Sequence, residues 1–320
     1  MSIEKAIADR DWELLRTLIL QKHAKSRQHV GLDDSSELSA FQLVAFYESE
    51  YADDLLTAGF TCDLHSACAL GREDLIKSEN NPEQLGLEVE HLTPMGWAII
   101  RGQKCSVDGL LSVGDDPNRP LKRAGFFVWE IEALNHIEWS PVHMASVHGY
   151  NEAAPAMVKS LAEAGANIEK PSPLGCSALS LASIYSWIDV METLLDLGAN
   201  INSESQPESD LVWSLSAPSQ ASARSYGLTP LMIAVGEGQE KAVDLLLKRG
   251  CDIRLRDSLG STALHIAANP WWKENVKIVE FLLSAGMDPT VVNGNNETSL
   301  DLARRRDYQR TTHLLESMSH

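Results

Sequence analysis

The stretch of sequence that decides the fold runs from Thr229 to Asp252 and reads T-P-L-M-I-A-V-G-E-G-Q-E-K-A-V-D-L-L-L-K-R-G-C-D. Thr229 can cap a helix by accepting an unpaired backbone N–H, and Pro230 suits the first helical position, where its missing donor costs nothing. Gly238 lets the chain leave this first helix and turn back, and Gly250 ends a second helix with an apolar face. The stretch predicts a pair of short helices that must stack on neighbouring copies to bury that face.

The small residue in the middle of the first helix recurs along the chain, each time inside a similar phrase. It stands at Ala67, Ala98, Ala145, Ala182, Ala234, Ala267 and Ala303. The step from Ala234 to Ala267 is 33 residues, whereas Ala145 follows Ala98 by 47 residues and Ala234 follows Ala182 by 52. The short step predicts a stack of repeats, and each long step predicts an insertion carried on the outside of the stack.

This phrase resembles the ankyrin repeat, whose pattern is T-P-L-H, an alanine, a mid-repeat glycine and a leucine run ending in G-A-D, at about 33 residues per unit. Other copies open at Thr93, Ser140, Ser177 and Thr262. The resemblance implies an all-α repeat solenoid, an ankyrin-repeat stack of helix–turn–helix units joined by β-hairpin finger loops. It covers nearly the whole chain.

Placing each copy in register divides residues 1–320 into seven segments of a single ankyrin solenoid. They are an N-terminal helical cap at 1–24, degenerate and early repeats at 38–118, an aromatic insertion at 119–138, central repeats at 139–202, a second insertion at 203–227, C-terminal repeats at 228–290 and a capping repeat at 297–320. A third, smaller insertion at 269–274 carries Trp271 and Trp272.

The composition argues against several classes of protein. The chain has 27 basic and 45 acidic residues and a formal charge of −18, which disfavours nucleic-acid binding and favours a basic protein partner. The arginines at 304–306 and Arg310 are interpreted as the solvated face of a terminal helix. No apolar run reaches the roughly 20 residues that a membrane helix needs, and no leader opens the chain, so we expect a cytoplasmic or nuclear protein without a membrane contact.

The cysteines and histidines are expected to be structural. The five cysteines form no C-x-x-C pair and are interpreted as reduced packing residues, and no metal or cofactor is expected. His65, His143 and His265 all take the fourth position of the T-P-L-H phrase, where the ring can bond to the capping side chain and nearby backbone. Thr298, which completes an Asn-Glu-Thr triplet, is interpreted as a helix cap rather than as part of a glycosylation site.

The informative residues are those that do not repeat. Two Phe and two Trp between positions 120 and 139 are costly to leave in water unless they pack on something. In ankyrin folds the insertions would rim a concave groove, and the resemblance predicts an aromatic groove that binds a partner. Its predicted partner-binding residues are Phe126, Phe127, Trp129, His136, Trp139, His148, Tyr185, Trp213, Tyr226 and Glu237. Other positions expected to face the groove are Ile137, Val147, Leu174, Cys176, Ile184 and Leu228.

Two classes of function remain open. The resemblance favours a non-catalytic protein–protein interaction module, an adaptor or regulator that holds a partner protein or peptide in the central groove, as a monomer or as a subunit of a hetero-complex. The alternative is a small-molecule-binding protein or atypical enzyme whose pocket is closed by the two insertions. Its acid–base groups would be His136, His148, Tyr185, Tyr226 and Glu237. No known catalytic spacing supports this alternative, so the interaction module is preferred.

Overall fold

A computed structural model gives the fold of the chain and describes residues 2–22, 38–78, 83–89, 92–121, 139–149, 151–206, 226–270 and 273–318. The chain divides into two compact units, Met1–Asn167 and Ile168–His320. Across the described ranges the regular structure is helical, and the strand-like pairing there consists of isolated β-bridges. The predicted all-α repeat solenoid is thereby confirmed.

The first unit contains five successive helix pairs within its described ranges. The helices are α1 (Ile3–Ala8), α2 (Trp12–Lys22), α3 (Ala40–Tyr47), α4 (Ala52–Thr57), α5 (Leu64–Leu70), α6 (Glu73–Ser78), α7 (Pro94–Ile100), α8 (Lys104–Ser112), α9 (Pro141–Val147) and α10 (Ala154–Glu163), with short 3-10 turns at Ser49–Tyr51 and Gln84–Gly86.

The second unit contains four helix pairs in its described part. The helices are α11 (Ala178–Ile184), α12 (Ile188–Asp196), α13 (Pro230–Gly236), α14 (Glu240–Lys248), α15 (Ala263–Ala268), α16 (Val276–Ser284), α17 (Ser299–Arg305) and α18 (Gln309–Met318).

The first helix of most pairs begins at the residue that the repeat pattern predicts. Thr229 caps α13 by accepting the backbone N–H of Met232 at 3.3 Å, and Pro230 takes the first helical turn. Thr298 caps α17, accepting from the backbone N–H of Asp301 at 3.2 Å. The same geometry recurs at Asp63, Thr93, Ser140 and Ser177. Since each cap satisfies a donor that the helix itself cannot pair, the repeat fixes the start of each helix.

The core runs through the first helices. All seven residues of α7, of α9 and of α13 are buried, and every one of the seven recurring alanines is buried. A small side chain at this position allows the helices on either side to approach closely. The second helices bury one face only, as in α14, where Ala242, Val243 and Leu246 are covered and Lys248 is exposed.

The helices on either side of each long insertion pack directly on each other. In the first unit α7 packs directly on α9, although 47 residues separate their alanines. In the second unit α11 packs on α13, although the step is 52 residues. Each stack therefore continues across its long step. The bulk of the first insertion (122–138), the bulk of the second (207–225), the segment 23–37 and the pair Trp271–Trp272 lie outside the described residues.

Candidate functional site

Backbone hydrogen bonds join consecutive finger loops of the second unit. At each junction an amide of the later finger donates to a carbonyl of the earlier one. The bonds run from Gln206 N to Gly175 O (2.9 Å), from Ser258 N to Tyr226 O (2.8 Å) and from Gly294 N to Leu259 O (2.8 Å). Arg256 adds a side-chain link, because its Nη1 donates to Val292 O at 2.9 Å. Hydrogen bonds between backbone groups, with one from Arg256, therefore join each finger to the next.

Close backbone contact accompanies these bonds at Gly260. This residue has a φ of +72°, and a Cβ added there would stand 2.9 Å from the backbone nitrogen of Gly294. Glycine meets both demands, because it has no side chain and adopts positive φ without the penalty that other residues suffer. At Gly250, which ends α14 with a φ of +80°, an added Cβ would meet nothing within 4 Å.

The tips of these fingers expose apolar side chains. Tyr226 is 48% exposed, Leu259 is 40% exposed and Val292 is 38% exposed. Tyr226 and Leu259 hold equivalent places, each just before the finger glycine and three residues before the capping threonine. We call these three residues the finger row. The sequence predicted Tyr226 as a contact residue but not Leu259 or Val292. Leu259 could have been predicted, because an apolar residue precedes the finger glycine at both 226–227 and 259–260.

A half-buried aromatic pair lies at the end of α11. The rings of Tyr185 and Trp187 stack with centroids 6.1 Å apart and an interplanar angle of 27°. Burial raises the pKa of the Tyr185 hydroxyl, and the nearby carboxylate of Glu237 raises it further. Gln239 spans the two repeats, since its Nε2 donates to Ile184 O at 2.7 Å. Two of the predicted groove residues, Tyr185 and Glu237, are therefore brought together.

Other predicted groove residues belong to the core. Trp139 is 1% exposed and His148 is 0% exposed, so neither side chain is accessible to a partner or to a substrate. Val147, Leu174, Cys176 and Leu228 are buried as well. At the position immediately before the capping residue, the apolar side chains Leu92, Trp139, Cys176 and Leu228 all enter the stack. The prediction that these positions line the groove is wrong, because the base of each finger packs against the helices.

Trp139 also closes the base of the first insertion. It forms an antiparallel bridge with Leu121, with backbone N···O distances of 2.7 and 2.8 Å, and its ring lies edge-on to His143. The chain therefore enters and leaves the insertion side by side, as at a hairpin. The predicted residues Phe126, Phe127, Trp129, His136, Ile137 and Trp213 lie outside the described residues.

The repeat histidines are structural, as predicted. In His265 the Nδ1 atom accepts the backbone N–H of Thr262 (3.2 Å) and lies 2.8 Å from the Thr262 hydroxyl, so the proton is on Nε2, which bonds to Glu297 O at 3.1 Å. Burial lowers the pKa of this imidazole. Nδ1 of His143 likewise lies 2.8 Å from the Ser140 hydroxyl. The His265 ring therefore links the start of its own helix to the finger of the next repeat.

The five cysteines are free, and most of them are unreactive by environment. Cys68, Cys176 and Cys251 are buried, Cys62 is intermediate and Cys105 is exposed. Burial raises the pKa of the Cys62 and Cys251 thiols to about 11 and that of Cys176 to about 12. Because the thiolate is the nucleophile, these groups suit packing rather than chemistry.

No group of three or more His, Cys, Asp or Glu side chains in the described part of the chain is arranged to hold a metal ion. Among the described helices, none combines the length and the apolar character required to cross a membrane.

Known proteins resemble this chain over different parts of its length. A family model of ankyrin repeats in three copies matches residues 206–315. The B-cell lymphoma 3 protein homolog of Mus musculus is 25% identical over 67% of this chain and 48% of its own length. The neurogenic locus notch homolog protein 1 of Homo sapiens is 30% identical over 48% of this chain and 6% of its own length. The human protein phosphatase 1 regulatory subunit 27 is 37% identical over 26% of this chain and 53% of its own length.

The matches agree with the geometry of the repeats. The chain spans about half of the mouse relative's length and a small part of the notch homolog's length. The family model covers the second insertion, α13–α16, α17 and most of α18, the same segment that carries the finger row. Each repeat of this segment contains the same features, namely a helix pair, a threonine cap, a buried alanine and a finger that is hydrogen-bonded to its neighbour. Residues 206–315 therefore carry ankyrin repeats, and the described helix pairs that precede them repeat the same cap and the same buried alanine.

Proposed function

We propose that this chain is a non-catalytic recognition subunit, an adaptor or regulator, that holds a partner protein on the finger row of its second unit. The observation that carries the proposal is the exposure of Tyr226, Leu259 and Val292 on fingers that are bonded to each other. Apolar side chains on a rigid backbone lose little conformational entropy when a partner covers them. Tyrosine in particular is enriched among residues that dominate binding energy.

The proposal keeps only some residues of the predicted aromatic groove. Trp139 and His148 leave it because they are buried, while Tyr185, Tyr226 and Glu237 stay as candidate contact residues of the second unit. Leu259 and Val292 join them. The enzymatic alternative loses His148 as an acid–base group, and no observation favours it.

The partner and the compartment are also proposals. A formal charge of −18 speeds association with a basic protein, chiefly through the rate of encounter. Free cysteines without a disulfide among all five suit the cytoplasm or the nucleus. The name of the human relative, protein phosphatase 1 regulatory subunit 27, suggests a regulatory subunit of a larger complex as one form that this recognition could take.

The test is a comparison of full-length variants in affinity capture from native lysate, read by quantitative mass spectrometry. Replacing Tyr226, Leu259 and Val292 by serine removes the apolar tips without touching the core. We expect proteins retained by the wild type to fall about tenfold or more, since the tips make up the apolar part of the contact.

Leu87 and Met318 provide the matched control, because they are 55% and 54% exposed and lie outside the finger row. Their serine variant should capture what the wild type captures. Urea unfolding of each variant checks that the fold is intact. If the finger-row variant retained the same proteins as the wild type, the proposal would be wrong.

A further inference from the structure

Two aromatic side chains stand together at the turn between α11 and α12. Tyr185 follows the last residue of α11, Trp187 precedes the first residue of α12, and Ser186 between them has a φ of +57°. The chain turns at Ser186, and the two rings lie on the same side of the turn, stacked with their centroids 6.1 Å apart. Both residues are partly exposed, unlike Trp139. The turn therefore presents an aromatic surface that a partner can reach.

A carboxylate of the next repeat stands beside this ring pair. Glu237 follows α13 as Tyr185 follows α11, and these two helices pack on each other. Gln239 joins the two turns, since its Nε2 donates to Ile184 O at 2.7 Å. The charge of Glu237 acts on the Tyr185 hydroxyl and raises its pKa. The rings and the carboxylate are therefore held close together by the stacking of two repeats.

The repeat that carries the rings contains no basic residue. Residues 171–202 include Asp189, Glu192 and Asp196 but neither lysine nor arginine. Asp196 pairs with Arg249 of the next repeat at 2.7 Å. Asp189 and Glu192 are exposed and form no ion pair within the described ranges. The ring pair thus lies on a repeat whose negative charge the repeat itself does not neutralise.

We propose that Tyr185, Trp187 and Glu237 bind a lysine or arginine side chain of a basic segment of the partner protein. A cation is attracted to the face of an aromatic ring, most strongly to that of tryptophan. Lys277 shows the geometry in the same unit, because its Nζ lies 5.5 Å from the centre of the Phe281 ring. An acidic side chain would be repelled by Glu237, and an apolar one would cover that charge without bringing an opposite charge to offset the lost water.

The inference rests on the proposed function, since the occupant is part of a protein partner. It names the chemical group of the partner that the Tyr185 side of the second unit selects, and it adds Trp187 to the contact residues. It also gives the acidic character of the chain a local role, because a net charge acts on approach whereas a ring pair beside a carboxylate acts in contact.

The test uses a phage library of random dodecapeptides selected on the immobilised full-length chain in about 0.5 M NaCl. At this salt the screening length falls to roughly 4 Å, which suppresses the general attraction between an acidic chain and basic peptides. Wild-type protein should enrich peptides that combine lysine or arginine with apolar residues. A synthetic copy of the most enriched peptide should bind Tyr185→Leu/Trp187→Leu at least about tenfold more weakly in fluorescence anisotropy.

Glu237→Gln tests the carboxylate and should weaken the same peptide by about threefold. Glu280→Gln is its matched control, because it makes the same change in net charge at an exposed glutamate of α16, two repeats away, and it should bind like the wild type. A peptide whose basic residues are replaced by norleucine should lose the binding.

Circular dichroism checks each fold, and Trp187→Leu alone replaces the double variant if that one misfolds. Enrichment of peptides without a basic residue, no enrichment on the wild type, equal binding to the ring variant, or an equal loss in Glu280→Gln and Glu237→Gln would overturn the inference.

The finger-row serine variant separates this outcome from that of the proposed function. It keeps the ring pair and Glu237, so it should still bind the basic peptide even when it no longer captures the partner. Should it capture the partner unchanged, the finger-row proposal fails, while the peptide binding still decides the role of the ring pair.

Discussion

Trp139 and Tyr226 are both aromatic finger residues, yet the structure places one in the core and the other in solvent. Trp139 stands immediately before the capping Ser140 and is 1% exposed, whereas Tyr226 stands three residues before the capping Thr229 and is 48% exposed. A shift of two positions within the finger therefore separates a packing residue from a candidate contact. The base of the finger belongs to the stack, and its tip carries the apolar surface.

The position of a residue within the finger does not by itself determine whether its side chain is exposed. Leu174 holds the place that Tyr226 and Leu259 hold, before a finger glycine, but it is 2% exposed. At that finger the backbone of Gln206 lies close, since a Cβ added to Gly175 would stand 3.0 Å from its carbonyl oxygen. This approach does not by itself explain the burial of Leu174, because a Cβ added to Gly260 would stand 2.9 Å from Gly294 N although Leu259 is exposed.

The largest effect is expected from removing the buried ring. Trp139→Ala should lower the free energy of unfolding by about 3–5 kcal/mol, because the truncation leaves a cavity in the core. Tyr226→Ala should change it by about 0.5 kcal/mol or less, as at other exposed sites. Urea unfolding followed by circular dichroism measures both. Similar losses in the two variants would contradict the division into base and tip.

Trp139→Phe sharpens the same comparison. The indole Nε1 of Trp139 is buried and has no hydrogen-bond partner among the described residues. Phenylalanine keeps most of the apolar volume and removes this unpaired donor, whose burial is itself unfavourable. We expect a smaller loss of stability than in Trp139→Ala. A loss equal to that of the alanine variant would show that the ring's volume is not what matters.

The next effect concerns the backbone that supports the tips. Gly260→Ala should lower the free energy of unfolding by about 2 kcal/mol, because it places a Cβ at positive φ and against Gly294. Gly250→Ala faces a similar φ but open space, so it should cost only about 1 kcal/mol. The difference between the two variants in urea isolates the crowding between fingers. Equal losses would indicate that the fingers can separate freely.

The next effect is a dependence of stability on pH, which we expect from His265 at the base of a finger. The pKa of His265 is lowered from its ordinary value of 6.5, so the folded chain holds the ring neutral and the unfolded chain takes up the proton more readily. Its contribution to stability is intact above pH 6.5 and is lost as the pH falls below that value. We expect the urea midpoint to fall between pH 7 and pH 5, by less than the loss caused by Gly260→Ala.

His265→Gln tests the assignment of this pH dependence. It should give a shallower fall of the midpoint over the same pH range, although His65, whose pKa burial also lowers, keeps part of the slope. His313→Gln serves as the control because that residue is exposed on α18. An unchanged slope in His265→Gln would exclude the ring as a source of the pH dependence.

The sequence was sufficient for the features that repeat. Caps at Thr229 and Thr298, the buried alanines and the structural role of His265 all follow from local hydrogen bonding and side-chain size, which the period repeats. The prediction for Trp139 was wrong because the resemblance assigned the residue before the cap to the groove, whereas the apolar side chains at this position, Leu92, Trp139, Cys176 and Leu228, all pack against the helices.

The smallest effect is expected at the opposite turn of the repeat, where Ser186 and Gly238 hold equivalent places. Both have positive φ, +57° for Ser186 and +70° for Gly238, and the Ser186 hydroxyl is buried without a hydrogen-bond partner in the described part of the chain. Ser186→Gly relieves the strained φ and removes the unpaired hydroxyl, and the greater freedom of glycine in the unfolded chain offsets part of this gain. We expect a stabilisation of about 0.5 kcal/mol, and the reciprocal Gly238→Ser should destabilise by about 1 kcal/mol. If Ser186→Gly lowered the urea midpoint, the serine would be making a contact that stabilises this turn, and the difference between the two turns would have a cause other than backbone strain.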